Sequence, residues 1–354
     1  MKYSIRSATI ILLSLYISVA SLAKEKGIGA WLSDADAYLT ELSDEDNFSG
    51  SVLIAVDGES LLAQGYGLAN REHGIPNEAD TKFRLGSLTK QFTAMVVLIL
   101  EEQGRLGIDH LVAAHMSNAP EHWSEITLLN LLNHTSGIPS FTSFPDNLRH
   151  ERLPTTVEAT VNRFIDKPLD FEPGSEYRYS NSGYALLGHL IELVTGKSYE
   201  DAVGELIFAP LGMNDSGYDR PRTVLEKRAS GYSKVDDGFL NAVHFEMDTP
   251  HAAGALYSTV NDLLIWDQAL YSEDLVSAAT IRKMETAHLK DYGLGVGVRD
   301  GHVFHGGGIS GFRTFLIRVP EQRVCMAVLS NLESARPDQI ARRLIEISLA
   351  GIAE

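Results

Sequence analysis

The chain has 354 residues, a formal net charge of −17 and one cysteine, Cys325. An acidic surface of this kind repels phosphate backbones, which argues against nucleic-acid binding. A single cysteine excludes an internal disulfide, and the apolar run around Cys325 predicts a core position rather than a nucleophile.

The first 23 residues have the pattern of a secretory signal peptide. Lys2 and Arg6 form a short basic region, and residues 8–23 are almost all apolar or small. This run is short for a membrane span and Lys24 follows it directly, so we predict cleavage after residue 23, with an uncleaved membrane anchor as the alternative. Cleavage would leave no stable membrane span, and we therefore expect a periplasmic or secreted protein.

The hydrophobic pattern predicts the secondary structure in chain order. Helical spacing predicts a helix over 30–42, and strands over 51–56 and 60–64 flank the hairpin signal Asp57-Gly58. A buried helix is predicted over 88–103, and shorter helices are predicted over 126–133, 155–165, 182–195 and 197–211. Later strands are predicted over 292–299, 302–304, 312–319 and 323–329, before an amphipathic helix that begins at Pro337.

Strand-rich segments at both ends of the chain therefore flank a helical middle. We predict an α+β fold with a three-layer, α/β/α-like arrangement around an antiparallel sheet and an inserted all-helical subdomain. Residues 24–354 would form a single domain. Its sheet subdomain would comprise about 24–86 and 250–354, and its helical subdomain about 87–249.

A Ser-x-x-Lys motif, Ser87 to Lys90, lies at the start of the predicted buried helix. Side chains three residues apart share a helix face, so the Lys90 amine can reach the Ser87 hydroxyl. The alternative is that Ser87 caps the helix, but a cap favours Glu or Gln three residues later, and a cation there opposes the helix dipole. We therefore predict that Ser87 is a nucleophile and that burial and the dipole depress the pKa of Lys90.

Tyr179 and Asn181 form a Tyr-x-Asn motif on a loop that precedes a predicted helix. A tyrosine that packs and an asparagine that caps are the alternative interpretation. A phenolate at neutral pH needs its pKa lowered by roughly three units, and a nearby Lys90 ammonium would supply much of that. Tyr179 and Lys90 would then share one proton and act together as the base.

The segment His305-Gly306-Gly307-Gly308 follows a predicted strand. Three glycines allow a backbone to lie close against a ligand, and an edge strand there would offer N–H groups to a substrate carbonyl. Taken alone, this segment is better explained as a flexible hairpin loop with an ordinary surface histidine. No His or Cys cluster has metal-binding spacing, so we predict no metal and no cofactor.

In order and rough spacing, the three motifs resemble the active site of the serine β-lactamase and penicillin-binding-protein superfamily. Residues 83–94, 131–137, 171–181 and 254–259 resemble its class C branch, which includes D-alanyl-D-alanine carboxypeptidases, D-aminopeptidases and β-lactamase-like esterases. His134, within these stretches, is interpreted as turn-forming and structural.

The resemblance implies a role for each matching residue. Ser87 would form the acyl-enzyme, while Lys90 and Tyr179 would activate it and relay the proton. Asn181 would donate to the acyl side chain of the substrate. The backbone N–H groups of Ser87 and Gly308 would form an oxyanion hole, and His305 would replace the lysine of the third motif.

The third motif departs from the family pattern, because His305 and Gly306 stand where a lysine and a threonine help to hold a substrate carboxylate. We expect weaker carboxylate binding unless Arg313 or Arg299 reaches the site. The sequence thus predicts an exported serine hydrolase that cleaves a D-amino-acid peptide, a β-lactam or a carboxylic ester. The alternative is a non-catalytic or slowly deacylating protein that binds penicillin or peptidoglycan. A small-molecule or peptide substrate is the predicted partner, and the oligomeric state is left open.

Overall fold

A six-stranded antiparallel sheet takes strands from both ends of the chain. The computed structural model describes residues 29–353. The strands of this sheet are β1 (Gly50–Val56), β2 (Glu59–Tyr66), β10 (Gly297–Arg299), β11 (His302–Ile309), β12 (Phe312–Val319) and β13 (Val324–Ser330). Their order across the sheet is β10-β11-β12-β13-β1-β2. The first strand pairs with the last, from Gly50 opposite Ser330 to Val56 opposite Val324.

The described residues also form three smaller sheets. They are β3 (Leu68–Asn70) with β4 (Ile75–Pro76), β5 (Phe83–Arg84) and β6 (Gly217–Tyr218) with β9 (Leu256–Ser258), and β7 (Tyr232–Val235) with β8 (Gly238–Asn241). The helices are α1 (29–44), α2 (Thr89–Glu102), α3 (Leu128–Leu132), α4 (Asn147–His150), α5 (Val157–Val161), α6 (Asn181–Thr195), α7 (Tyr199–Val203), α8 (Ala209–Leu211), α9 (Val260–Ala269), α10 (Ala278–Met284) and α11 (Pro337–Ala353). None of these described helices is long and apolar enough to cross a membrane.

The sheet is covered on both faces, and the sequence of β13 shows why. Successive side chains of a strand point to opposite faces. Val324, Met326 and Val328 pack into one hydrophobic cluster with α1 and α11. Cys325 and its neighbours at alternate positions pack into a second cluster with α2 and the other helices. The result is a three-layer arrangement of helices and antiparallel sheet, which confirms the predicted α+β class.

Two predictions of local structure differ from the observed fold. The strand predicted over 292–299 exists only as β10, because Gly295 takes a left-handed conformation with φ +77° and Tyr292 makes only an isolated bridge. Helices α9 and α10 lie between residues 250 and 292, within the predicted sheet subdomain, where no helix was predicted. The predicted signal peptide lies outside the described residues.

Candidate active site

Ser87 lies on a tight turn that leads into α2. Gly86–Leu88 form one turn of 3-10 helix, and Gly86 takes a left-handed conformation with φ +54°. The N-cap position of α2 is Leu88, and no side chain caps this helix. The capping alternative for Ser87 is therefore wrong, and Ser87 instead lines a cavity at the surface.

The glycines of β11 allow this strand to pack directly against the turn. A Cβ atom at Gly307 would lie 2.0 Å from the Leu85 carbonyl oxygen. A Cβ atom at Gly86 would lie 2.8 Å from the Gly308 nitrogen. Side chains at either position would separate the two backbones, so the glycines fix the distance between the turn and the strand.

The same part of β11 has a free edge. Strand β10 pairs only with His302–Phe304, so residues 305–309 have no strand partner on that side among residues 29–353. Gly308 lines the same cavity as Ser87. Its backbone is therefore placed beside the candidate nucleophile.

Lys90 is completely buried, and its Nζ lies 3.1 Å from Ser87 Oγ. Nζ donates to Asn181 Oδ1 and to the Ala253 carbonyl oxygen, both at 2.8 Å. Burial holds the pKa of Lys90 well below its ordinary value, which favours the neutral amine. Because a neutral amine has two N–H donors and one lone pair, these two hydrogen bonds leave the lone pair for the Ser87 hydroxyl proton.

Tyr179 lies near the Ser87 side chain, and Lys90 Nζ lies 4.8 Å from the centre of the Tyr179 ring. Burial raises the pKa of Tyr179, against a smaller opposite effect of the Ser87 hydroxyl. Of the two residues expected to share a proton, these opposite shifts favour the proton on Tyr179 and a neutral amine on Lys90.

His134 holds the loop that carries Tyr179. Its backbone has φ +61°, and its ring centre lies 4.2 Å from that of Tyr179. The Ser180 N–H donates to His134 Nδ1 at 3.2 Å, and the Arg178 N–H donates to the His134 carbonyl at 3.0 Å. Burial lowers the pKa of His134 well below its ordinary value, so the ring is a neutral acceptor.

Asn181 is the first residue of α6 and has a fixed side-chain orientation. Its Oδ1 accepts from Lys90, and its Nδ2 donates to Thr142 Oγ1 at 3.1 Å. Its backbone N–H donates to Ser140 Oγ at 3.1 Å. Because Asn181 and Thr142 both line the cavity, the amide nitrogen is the end of Asn181 that faces a ligand.

His305 was predicted to contact the substrate, but the structure places it outside the lining of the cavity. It is 8% exposed and does not line the cavity that contains Ser87. Nδ1 lies 2.6 Å from the Gly306 carbonyl and must donate to it, so Nε2 accepts from the Tyr292 hydroxyl at 2.9 Å. Burial, with a smaller effect of Lys90, lowers the pKa of His305 to about 3. A neutral, buried imidazole supplies no cation for a carboxylate.

The cavity beside Ser87 has a volume of about 260 Å³. Glu151 is its one charged lining residue among the described residues, and no lysine or arginine of that part of the chain lines it. Arg299 instead pairs with Asp291 at 2.9 Å. Arg313 lies beside Gly308 but is engaged by Glu333 at 3.4 Å.

Comparison with known proteins decides the family. A sequence model of the Beta-lactamase family matches residues 35–350. The chain belongs to this family. It is 31% identical to penicillin-binding protein 4* of Bacillus subtilis (strain 168), over 82% of this chain and 70% of the relative.

Solved structures agree with this assignment to the Beta-lactamase family. The octameric penicillin-binding protein homologue from Pyrococcus abyssi superposes with a TM-score of 0.81 at 30% identity, covering 90% of this chain and 77% of the other. A D-stereospecific amidohydrolase from Streptomyces sp. gives 0.75 at 28% identity, covering 87% and 97%. The predicted resemblance to the serine β-lactamase and penicillin-binding-protein superfamily is confirmed.

Within this Beta-lactamase fold, the predicted site residues do not all meet at one cavity. Three of them line it directly: Ser87, Asn181 and Gly308. Lys90 and Tyr179 lie beside Ser87 without lining the cavity, and His305 does not line it either. Glu151 was not predicted, because it belongs to no recognisable motif and reaches the cavity only through the fold.

Proposed function

We propose that this protein is a serine hydrolase that cleaves an amide or an ester through an acyl-enzyme on Ser87. The observation that carries the proposal is the environment of Lys90. Its Nζ donates to Asn181 and Ala253 and lies 3.1 Å from Ser87 Oγ, so a neutral amine would present its lone pair to the Ser87 hydroxyl. A buried neutral amine in this position is a general base for a hydroxyl nucleophile.

The reaction would begin with attack of Ser87 Oγ on the substrate carbonyl, as its proton passes to Lys90. The negative charge on the carbonyl oxygen would be stabilised by the backbone N–H groups of Ser87 and Gly308, each worth about 3–4 kcal/mol in sites of this kind. The Lys90 proton would return to the leaving group through the Tyr179 hydroxyl. A water molecule would then attack the acyl-enzyme carbonyl, with the proton transfers in the reverse order. This step would release the acid and regenerate Ser87.

The charge of the cavity favours amides and esters that lack a carboxylate near the reacting carbonyl. No described lysine or arginine lines it, so a penicillin carboxylate would meet no partner there. The similar Streptomyces protein is named a D-stereospecific amidohydrolase, which supports amide hydrolysis. From the pattern of residues 1–23 we also propose export, to a periplasm or to the medium.

The test is turnover of p-nitrophenyl acetate together with intact-protein mass spectrometry after mixing with a penicillin. Ser87→Ala should abolish ester turnover, and Ser124→Ala, a control at an exposed serine outside the cavity, should not. We expect no lasting penicillin adduct. Turnover that survives in Ser87→Ala contradicts the proposal.

The slowly deacylating penicillin-binding protein remains the second candidate, because Ser87 and Lys90 suit acylation of either kind of protein. A stable adduct that needs Ser87, without ester turnover, would favour it over a hydrolase.

A further inference from the structure

One part of the cavity wall has an acidic character. Glu151 lines the cavity together with Asn147, Phe245 and Thr249. Its carboxylate is partly buried, and burial raises the pKa of this group, with a smaller opposite effect of Arg152. A carboxylate that has lost part of its hydration gains more from a cationic partner than a fully hydrated one.

Glu151 is held in position by a chain of hydrogen bonds. Arg163 donates to Asn147 Oδ1 at 3.3 Å, and Asn147 Nδ2 donates to Glu151 Oε2 at 3.0 Å. Arg163 is itself fixed by Asp146 at 3.0 Å. Because the amide of Asn147 is used at both ends, it orients the carboxylate. The other carboxylate oxygen of Glu151 has no hydrogen-bond partner among residues 29–353.

The backbone of Glu151 is fixed as well. The Glu246 N–H donates to the Glu151 carbonyl at 2.7 Å. This bond joins the segment after α4 to the loop that supplies Phe245 and Thr249 to the cavity. Glu151 is therefore part of a wall built from two loops that are bonded to each other.

We propose that the acyl part of the substrate carries a primary ammonium group, which Glu151 binds. The inference rests on the proposed acyl-enzyme at Ser87. It assigns the ammonium to the acyl part because Asn181, whose expected partner is the acyl side chain, lines the same cavity. A primary ammonium offers three N–H donors, one for the free oxygen of Glu151 and others for oxygens such as Thr142 Oγ1.

The test compares pairs of methyl esters that differ only in the ammonium group. Methyl propionate lacks it, whereas the D- and L-alanine methyl esters carry it. For each ester, kcat/KM is measured near neutral pH for the wild type, Glu151→Gln and Glu125→Gln. The ratio of variant to wild type for one ester cancels the intrinsic reactivity of that ester. Glu125 is an exposed glutamate outside the cavity and controls for loss of one negative charge.

We expect Glu151→Gln to lower kcat/KM about 10- to 100-fold for at least one alanine ester, the loss typical of a hydrogen bond to a charged group. Turnover of methyl propionate should stay within about twofold, which also shows that the variant folds. Glu125→Gln should leave all esters unchanged.

Equal effects of Glu151→Gln on the alanine and propionate esters, or no effect on any, would overturn the ammonium site while leaving the serine hydrolase intact. Failure of the proposed function has a different signature. In that case the wild type hydrolyses none of the esters, or Ser87→Ala hydrolyses them at the wild-type rate, and the ammonium site falls with it.

Discussion

At the scale of single residues, the protonation of Lys90 follows from its surroundings. A lysine in water keeps its proton far above neutral pH, but Lys90 is completely buried and its two close oxygen partners carry no net charge. Burial without a carboxylate partner disfavours the ammonium. Burial also raises the pKa of Tyr179, so the surroundings favour a neutral amine and a neutral phenol together.

This assignment predicts the pH dependence of the rate. The amine is protonated below its lowered pKa and then cannot accept the Ser87 proton, so kcat/KM should fall as the pH drops through that value. Lys90→Ala should lower kcat/KM about 10²–10⁴-fold. Lys90→Arg should not restore it, because a guanidinium stays protonated. The measurement is the pH profile of ester turnover; a flat acidic limb, or an active Lys90→Arg, would contradict the assignment.

His305 gives a second prediction at this scale. His305→Lys restores the lysine of the family pattern, yet the side chain would lie in a buried site beside Tyr292. Burial lowers the pKa of a lysine in the folded state below its unfolded value, so the cost is present at neutral pH and disappears as the pH approaches about 10. We expect a lower melting temperature at pH 7, a smaller deficit at higher pH and no faster hydrolysis of monomethyl succinate.

His302→Lys is the matched control for this substitution, since His302 lies on the same strand and is partly exposed. It should leave the melting temperature close to that of the wild type. Faster succinate hydrolysis by His305→Lys, without loss of stability, would show that position 305 faces the substrate after all.

At the scale of secondary-structure elements, the site depends on how closely β11 approaches the turn before α2. Thr314 Oγ1 on β12 donates to the Leu85 carbonyl at 2.7 Å, directly beside Gly307. The strand, its neighbour and the turn therefore form one bonded unit. The distance between Ser87 and the N–H groups of β11 is therefore set by close packing of the backbone and by this hydrogen bond from Thr314.

Adjacent glycines of β11 provide a matched test of this packing. A Cβ atom at Gly307 would lie 2.0 Å from the Leu85 carbonyl oxygen, whereas one at Gly306 would come no closer than 3.4 Å, to the Phe315 ring. Gly307→Ala should displace the strand from the turn and lower kcat/KM by about 10²-fold or more, since a shift of about 1 Å is enough for such a loss. Gly306→Ala should be nearly neutral. Similar activities of the two variants would show that the strand is not held by this contact.

Local sequence patterns predicted the elements with a clear hydrophobic periodicity or a clear turn signal at their ends, such as β1, β2, α2 and α6. They did not predict α9 and α10, because the region after about residue 250 was interpreted from the strand signals that follow residue 292. They also extended β10 to residue 292, although the left-handed Gly295 interrupts an extended conformation there. These errors arise because tertiary contacts override short-range preferences in short elements.

At the scale of the whole molecule, the same distinction separates what motifs reveal about the site from what they miss. Ser87 and Lys90 are three residues apart on the turn and helix, and Tyr179 and Asn181 are two apart at the start of another, so each pair is visible in the sequence. Glu151 lines the same cavity as Ser87 because the fold joins two loops that are distant from Ser87 in the sequence. The burial of His305 outside the cavity lining likewise depends on the fold around β11.

The sheet and its helical cover are also joined by buried charges. Arg318 on β12 is 2% exposed, and its Nε donates to Asp267 Oδ1 of α9 at 2.6 Å. Its guanidinium also pairs with Glu285, just after α10. These ion pairs lie between layers that are otherwise apolar, so removal of one partner leaves a buried charge without compensation.

Arg318→Met should therefore lower the free energy of unfolding by about 3–5 kcal/mol, measured by urea denaturation. Arg299→Gln, which breaks the exposed pair with Asp291, should cost no more than about 1 kcal/mol. If the loss comes mainly from the carboxylate of Asp267, the more deeply buried of the two partners, the double variant Arg318→Met/Asp267→Leu should recover much of it. A double variant no more stable than Arg318→Met would instead assign the loss to Glu285 or to the packing of the arginine side chain between the sheet and α9.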